Sequence, residues 1–443
     1  MSGPGLRRTI GLPGAVFTLV GYVIGASIFV LPGQLAARAG PGLFLAYLLA
    51  GGLALLTCLA SAHIGSTLPV SGAAYVAVSR TVGPAWGFLV IWYTIGAVVV
   101  AEALVAYGLA DYLAYFAPEL PRRVVAVTAV VAFGGLNLVS VRGAVAAQVA
   151  MTGLLLVIIL GFGVAAVAHV QPDRLSPLLP NGITGLLVTA VTAYFSFTGF
   201  TVIAEIAEEI RDPGRTIPRA LAASFLVVTV AYLLIAVAVP GLLDWRTLAD
   251  VPAPVATAAE TFLPSAGVGV IAVGAMLAAA TSIHGMLLVQ SRDVYALARD
   301  RLFPDILSRV QSGSAIPAPA VVLLTALSVA GVLAGGSIVE YATVAVLGVM
   351  VVQGLIALAV MRLPRSDEPG RFGLAAAARQ RLGIVLFVVS LLFAGVGLAS
   401  GGRSVAAFAG LTLMGGVYFQ GRRRFLARRG IHIADLLAGP PHA

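Results

Sequence analysis

Apolar runs recur along the whole chain, at residues 13–37, 43–67, 84–116, 123–141, 145–169, 183–207, 219–240, 266–290, 317–335, 337–361, 382–400 and 404–420. Wound as helices, runs of these lengths cross about 30 Å of hydrocarbon. The third run has length to spare and must tilt or include an interfacial turn. The longest polar intervals, 292–316 and 362–381, leave no room for a soluble domain. The pattern predicts an all-α membrane protein of about twelve transmembrane helices.

Composition agrees. Only 10% of residues are charged and 60% are hydrophobic, with a mean hydropathy of +1.02. A soluble chain carries about a quarter charged residues, so the lipid bilayer is the solvent for most of this surface. The net charge of +9 comes from arginine without a single lysine. These arginines sit in short clusters between apolar runs, which fits a topology signal better than a phosphate-binding face, so no nucleic acid is expected as a partner. With the N-terminus inside, 21 arginines fall on the inner segments and 6 on the outer ones. The expected location is the cell (inner) membrane, multi-pass, with both termini cytoplasmic. Arg7 and Arg8 precede an apolar run without a small-residue cleavage site, so that run reads as a first helix and not as a cleaved leader. The one cysteine, Cys58, supports neither a disulfide framework nor a thiolate metal site.

Two runs carry signs of interruption. The first contains Gly21, Gly25, Ala26 and Ser27, then Pro32 and Gly33; the sixth contains Ser196, Thr198 and Gly199 among aromatics. Backbone groups released at mid-membrane are tolerated only where they line a protein-walled cavity, and a pair of broken spans in corresponding positions points to a transporter site. Close helix packing also uses glycine, and the chain has 51 of them. Spans one and six lie five helices apart. That spacing predicts a five-helix repeat over 1–180, an inverted copy over 181–366, and two accessory helices with a basic cytoplasmic tail over 367–443.

Four motifs flank these features. The run GYVIGASIFVLPG from Gly21 resembles the first-helix signature of the amino acid–polyamine–organocation (APC) superfamily. PVSGAAYVAVSRTVGPAWGF from Pro69 resembles that family's loop between helices two and three, YFSFTGFTVIAEIAEEIRDPGRTIPRAL from Tyr194 its sixth helix and inner loop, and QSRDVYALARDRLFPDIL from Gln290 the end of its eighth. The resemblance implies the LeuT-type 5+5 inverted repeat and a permease, not an enzyme, that carries amino acids or amines by alternating access and needs no cofactor.

Carried onto this chain, the family pattern puts the substrate carboxylate on the amides of Ala26, Ser27 and Ile28, where a helix N-terminus offers free N–H groups and a positive dipole end. Carbonyls of Val23, Ile24, Phe195 and Ser196 would hold the amine. Phe195 stands where an aromatic lid closes over substrate, with Thr198 and Met286 lining the pocket. Glu102 lies deep in the third span and, at a cost of about 2.5–3.5 kcal/mol, must face protein or water. It would pair with a cationic substrate, serve as a protonatable coupling group, or bond a neighbouring helix. His284 is a proton-linked candidate or a helix-to-helix hydrogen bond, and His63 is the same with less to recommend it. Glu208, Glu209 and Arg292 suit an inner gate. The helix-five lysine that replaces sodium in many relatives is absent, with Leu155 at its place. Thr281 and Ser282 offer hydroxyls for a sodium ion instead, so the coupling ion is H+ or Na+. A polyamine carrier and a passive channel are the alternatives. No metal set, nucleophile elbow or phosphate loop marks an enzyme.

Overall fold

The computed structural model describes residues 10–70, 72–139, 144–205, 207, 210–311, 316–364, 372–399, 402–431 and 433, with the side chains of 144–148 and 204–205 outside that description. Helices fall on all twelve expected intervals. The first span is split into α1 (Leu12–Ile24) and α2 (Ser27–Ala39), and α3 (Leu43–Thr67) is the second. The short α4 (Ala73–Thr81) precedes α5 (Pro84–Leu113), followed by α6 (Arg122–Asn137) and α7 (Ala144–Val167). The sixth span combines α8 (Gly182–Ala193), a 3-10 segment Tyr194–Thr201 and α9 (Val202–Glu205). The rest are α10 (Pro213–Leu242), the short α11 (Pro254–Glu260), α12 (Ser265–Arg299), α13 (Ala318–Ala334), α14 (Ile338–Arg362), α15 (Ala376–Ala399) and α16 (Gly402–Ala427). Among the described residues, eight helical stretches are long and apolar enough to cross a membrane, Ser27–Thr67 counting as one, and α1 and α13 are shorter apolar helices.

Local chemistry explains several boundaries. Proline opens α5 and α10, where its missing N–H has no helical partner to lose. A capping box starts α14: Ser337 Oγ accepts from the Glu340 amide at 3.1 Å, and Glu340 Oε2 accepts from the Ser337 amide at 2.8 Å. The third span is one unbroken helix of 30 residues without an interfacial turn. The loops after spans two and seven hold the short helices α4 and α11, which hydropathy could not reveal because they are too short to cross a bilayer. α12 runs on through the QSRDVYALAR motif to 35 residues, about 52 Å at the helical rise, and so projects beyond the hydrocarbon.

Burial separates centre from rim. Ile24, Leu31, Tyr47, Tyr194 and Tyr232 on α1, α2, α3, the 3-10 segment and α10 are fully enclosed. The apolar window of α14 is 72% buried and that of α15 only 22%. Leu392 on α15 and Val417 on α16 are among the most exposed apolar side chains. α15 and α16 therefore turn their outer faces to lipid, as helices added to the outside of a core.

Candidate functional site

The break in the first span is made by one residue. Gly25 adopts φ +43°, ψ −163°, a combination that a Cβ would strain, and Ala26 returns to helical angles before α2 begins at Ser27. The first closed turns of the second half come from the Phe29 and Val30 amides to Ala26 O, at 3.0 and 3.2 Å. The amides of Ala26, Ser27 and Ile28 thus stand ahead of the first closed turn, at the positive end of a 13-residue helix with no side-chain cap. A Cβ on Gly25 would come 2.6 Å from Ser282 Oγ, so α12 crosses right at the break.

The sixth span is interrupted differently. It does not unwind; it tightens into eight residues of 3-10 helix, where runs beyond three or four residues are uncommon. Gly199 permits the approach of the first span, since a Cβ there would lie 2.7 Å from the Tyr22 ring and 3.0 Å from Val23. The two interruptions are in contact, and one side chain fastens them. Tyr232 of α10 places its hydroxyl 2.9 Å from Val23 O and 2.6 Å from Ser196 O, one donor between two carbonyls. Nothing in the motifs singled it out; the only signal was a tyrosine in an otherwise apolar stretch of span seven.

All four carbonyls assigned to an amine are thus engaged by the protein's own hydroxyls. Ile24 O accepts from Ser27 Oγ at 3.3 Å, and Phe195 O from Thr198 Oγ1 at 2.8 Å. Carbonyls have two lone pairs, so an ammonium group can share or displace these donors. Ser196 Oγ and Ser282 Oγ, both buried beside the breaks, have no hydrogen-bond partner among the described residues. Unpaired buried hydroxyls cost about 1–3 kcal/mol each and are the polar atoms left for a ligand. Phe195 is buried. Phe197 packs edge-on against Tyr232 at 4.9 Å, and Phe200 lies against Phe225 at 5.9 Å, so both serve the core.

Along α12, Ser282, Met286, Val289, Gln290 and Asp293 recur at helical spacing on one side. Ser282 meets Gly25, and Val289, Gln290 and Asp293 line a cavity of about 50 Å³ together with Tyr22, Tyr75, Thr94 and Thr201. Thr281, next to Ser282, donates to Ala278 O of its own helix at 2.9 Å, which leaves the oxygen lone pairs of the hydroxyl uncommitted. Asp293 was passed over in the sequence because it sits inside a motif whose other residues carried the resemblance.

Glu102 and His284 each bond a neighbouring helix. Glu102 is fully buried and accepts a hydrogen bond from Ser328 of α13. The side of α5 that meets α2 is occupied instead by Gly108, whose Cβ would touch Val30, and by Tyr112, which donates to Phe29 O at 2.6 Å. Six helical positions separate Glu102 from Gly108, which turns the carboxyl about 120° from α2; its place is the α5–α13 contact. His284 Nδ1 lies 3.0 Å from Asn137 Nδ2 of α6, another contact between helices. His63 accepts from the Leu374 amide and bonds Leu363 O, tying α3 to the connection after α14. Leu155 is buried in α7. Of the gate residues, Arg292 lies on α12 beside Asp293, whereas Glu208 and Glu209 lie outside the described residues.

A bundle of lipid-facing helices with two interrupted spans fastened together at its centre defines a polytopic membrane transporter. The sequence model of the amino acid permease family matches residues 14–363, and the chain belongs to that family. It is 28% identical over 70% of its length to a methylthioribose transporter of Bacillus subtilis, covering 72% of that protein. It is 29% identical to the branched-chain amino acid permease BcaP of the same organism, covering 69% of this chain and 70% of the other. A vacuolar cationic amino acid transporter 2 of Arabidopsis thaliana is 28% identical over 86% of this chain and 64% of its own.

Proposed function

We propose that the protein is a secondary active transporter that moves amino acids across the cell membrane by alternating access, with the substrate head group held between the two interrupted spans. The observation that carries this reading is the meeting of an open helix N-terminus at Ala26–Ile28 with the carbonyl-rich 3-10 turn of the sixth span. One offers donors and the other acceptors, the complement of a zwitterion. Phe195 acts as the lid, and Thr198 and Met286 line the side-chain pocket. The five-helix repeats, 1–180 and 181–366, rock against each other around this point, with both termini cytoplasmic and Glu208, Glu209 and Arg292 exchanging partners at the inner gate.

The substrate is an amino acid, although the names of the relatives range from a thiosugar to branched-chain and cationic amino acids, so likeness alone does not choose. A cationic amino acid or polyamine is the second reading, favoured by the Asp293 carboxylate in the cavity beside Tyr22. A channel is disfavoured because paired interruptions suit a closed midplane site and alternating access. The test is uptake into proteoliposomes across a labelled amino-acid and polyamine panel, with and without a sodium or proton gradient. Saturable, competable uptake is expected, and the gradient arms identify the coupling ion. Flux that never saturates, or none for any amine, overturns the proposal.

A further inference from the structure

The cavity next to the breaks is not the substrate head-group site itself. From Ser282, which touches Gly25, to Asp293 is eleven positions along α12, about 16 Å at the helical rise. The cavity lies at the end of the bundle where α4, α9 and the end of α12 lead into the arginine-bearing connections. Asp293 is the one charged side chain among the described residues that line it. Gln290, one turn earlier, is 98% buried by its 2% exposure, and its amide nitrogen has no hydrogen-bond partner among the described residues. The Asp293 carboxylate is half-buried and follows Arg292 in the helix, and the unspent Gln290 amide stands one turn away, so an acceptor and a donor lie side by side.

The remaining walls narrow the chemistry. Tyr22 and Tyr75 offer ring faces, which attract cations. Val90, Ile91, Val352 and Ile356 give an apolar wall along which an aliphatic arm can lie. At about 50 Å³ the cavity has room for a cationic head group and not for a whole amino acid. Tyr22 also packs on Gly199 of the 3-10 segment and so joins the cavity wall to the interrupted spans.

We propose that this cavity is a second binding station on the transport path, in which Asp293 receives the side-chain guanidinium or ammonium group of a cationic solute beside the Gln290 amide. The station rests on the transporter reading above and adds to it a preference for cationic amino acids. A neutral amino acid would pass the station without an ion pair.

The experiment compares arginine and agmatine with leucine in proteoliposomes of the full chain. Asp293→Asn should raise the arginine-to-leucine ratio of half-saturation concentrations by about tenfold or more, the loss of one charge-assisted hydrogen bond. Asp293→Glu should recover most of that ratio. If the wild type carries both solutes and Asp293→Asn moves the ratio by less than about twofold, the station is wrong and the transporter reading stands. If the wild type carries no amino acid, both fall. A second measurement does not depend on that variant folding. Cys58 is the chain's single cysteine and is buried, so Thr94→Cys places one reporter thiol in the cavity. Agmatine should slow its maleimide labelling by about threefold or more, and leucine should not. No protection by agmatine overturns the station.

Discussion

The two interruptions at the centre of the bundle reach the same place by opposite routes. In the first span, a single glycine at φ +43° cuts the hydrogen-bond ladder, leaving two 13-residue half-helices and a bare amide end. In the sixth, the ladder continues, rewound more tightly over eight residues. The first break is local: it resides in the one backbone conformation that only glycine takes without strain. The second is imposed from outside. Nothing in YFSFTGFT enforces a 3-10 path; the Tyr22 ring against Gly199 and the Tyr232 hydroxyl on Ser196 O hold it. Donors are thus presented by a rigid element and acceptors by one that its neighbours keep in place.

The contrast can be broken most forcefully at Gly25. Gly25→Ala adds a Cβ that is strained by about 1–2 kcal/mol and driven against Ser282. Proteoliposome uptake should fall about 100-fold or more while the detergent-solubilised protein still elutes as a single folded species. An active variant would show that the break does not set the site. Gly199→Ala should do less, because the obstacle is the Tyr22 ring, which can shift. Overpacking costs about 1–3 kcal/mol, and maximal uptake should drop about tenfold with a lowered melting temperature. An unchanged rate would mean that the approach of the two spans is incidental. Tyr232→Phe is the finest probe. Freed from their internal donor, Val23 O and Ser196 O should leave the empty protein about 1–2 kcal/mol less stable. Saturating substrate should then raise the melting temperature more than it does in the wild type. Equal shifts in both proteins would separate Tyr232 from the binding event.

Much of this was visible in the residues themselves. Twelve apolar runs gave twelve helical intervals, because a bilayer imposes a length that any apolar helix must meet. Gly21, Gly25, Ala26 and Ser27, with Pro32 and Gly33, marked the first span as interrupted, and the family pattern placed the start of its second half at Ala26. The manner of the second was hidden, since 3-10 winding here is a tertiary effect. Side-chain direction was hidden as well. Glu102 looked like a pocket carboxylate because depth can be read from sequence, but the side of the helix it occupies depends on where α13 packs, and there it meets Ser328. Thr281 and Ser282 are adjacent letters whose hydroxyls point 100° apart on a helix. Asp293 and Tyr232 went unnoticed because each needs a neighbour from a distant span to acquire meaning.

The shared tyrosine has one more consequence. A carrier whose empty pocket is already spanned by its own phenol does not wait with dangling acceptors. An arriving solute trades places with an internal tenant, and only the difference between the two attachments counts toward affinity. A charged amine outbids a phenol for a carbonyl, whereas a hydroxyl of the solute gains little over the one it evicts. On the site proposed above, selectivity for ammonium over alcohol is then built into the resting molecule, before any side-chain pocket has been consulted.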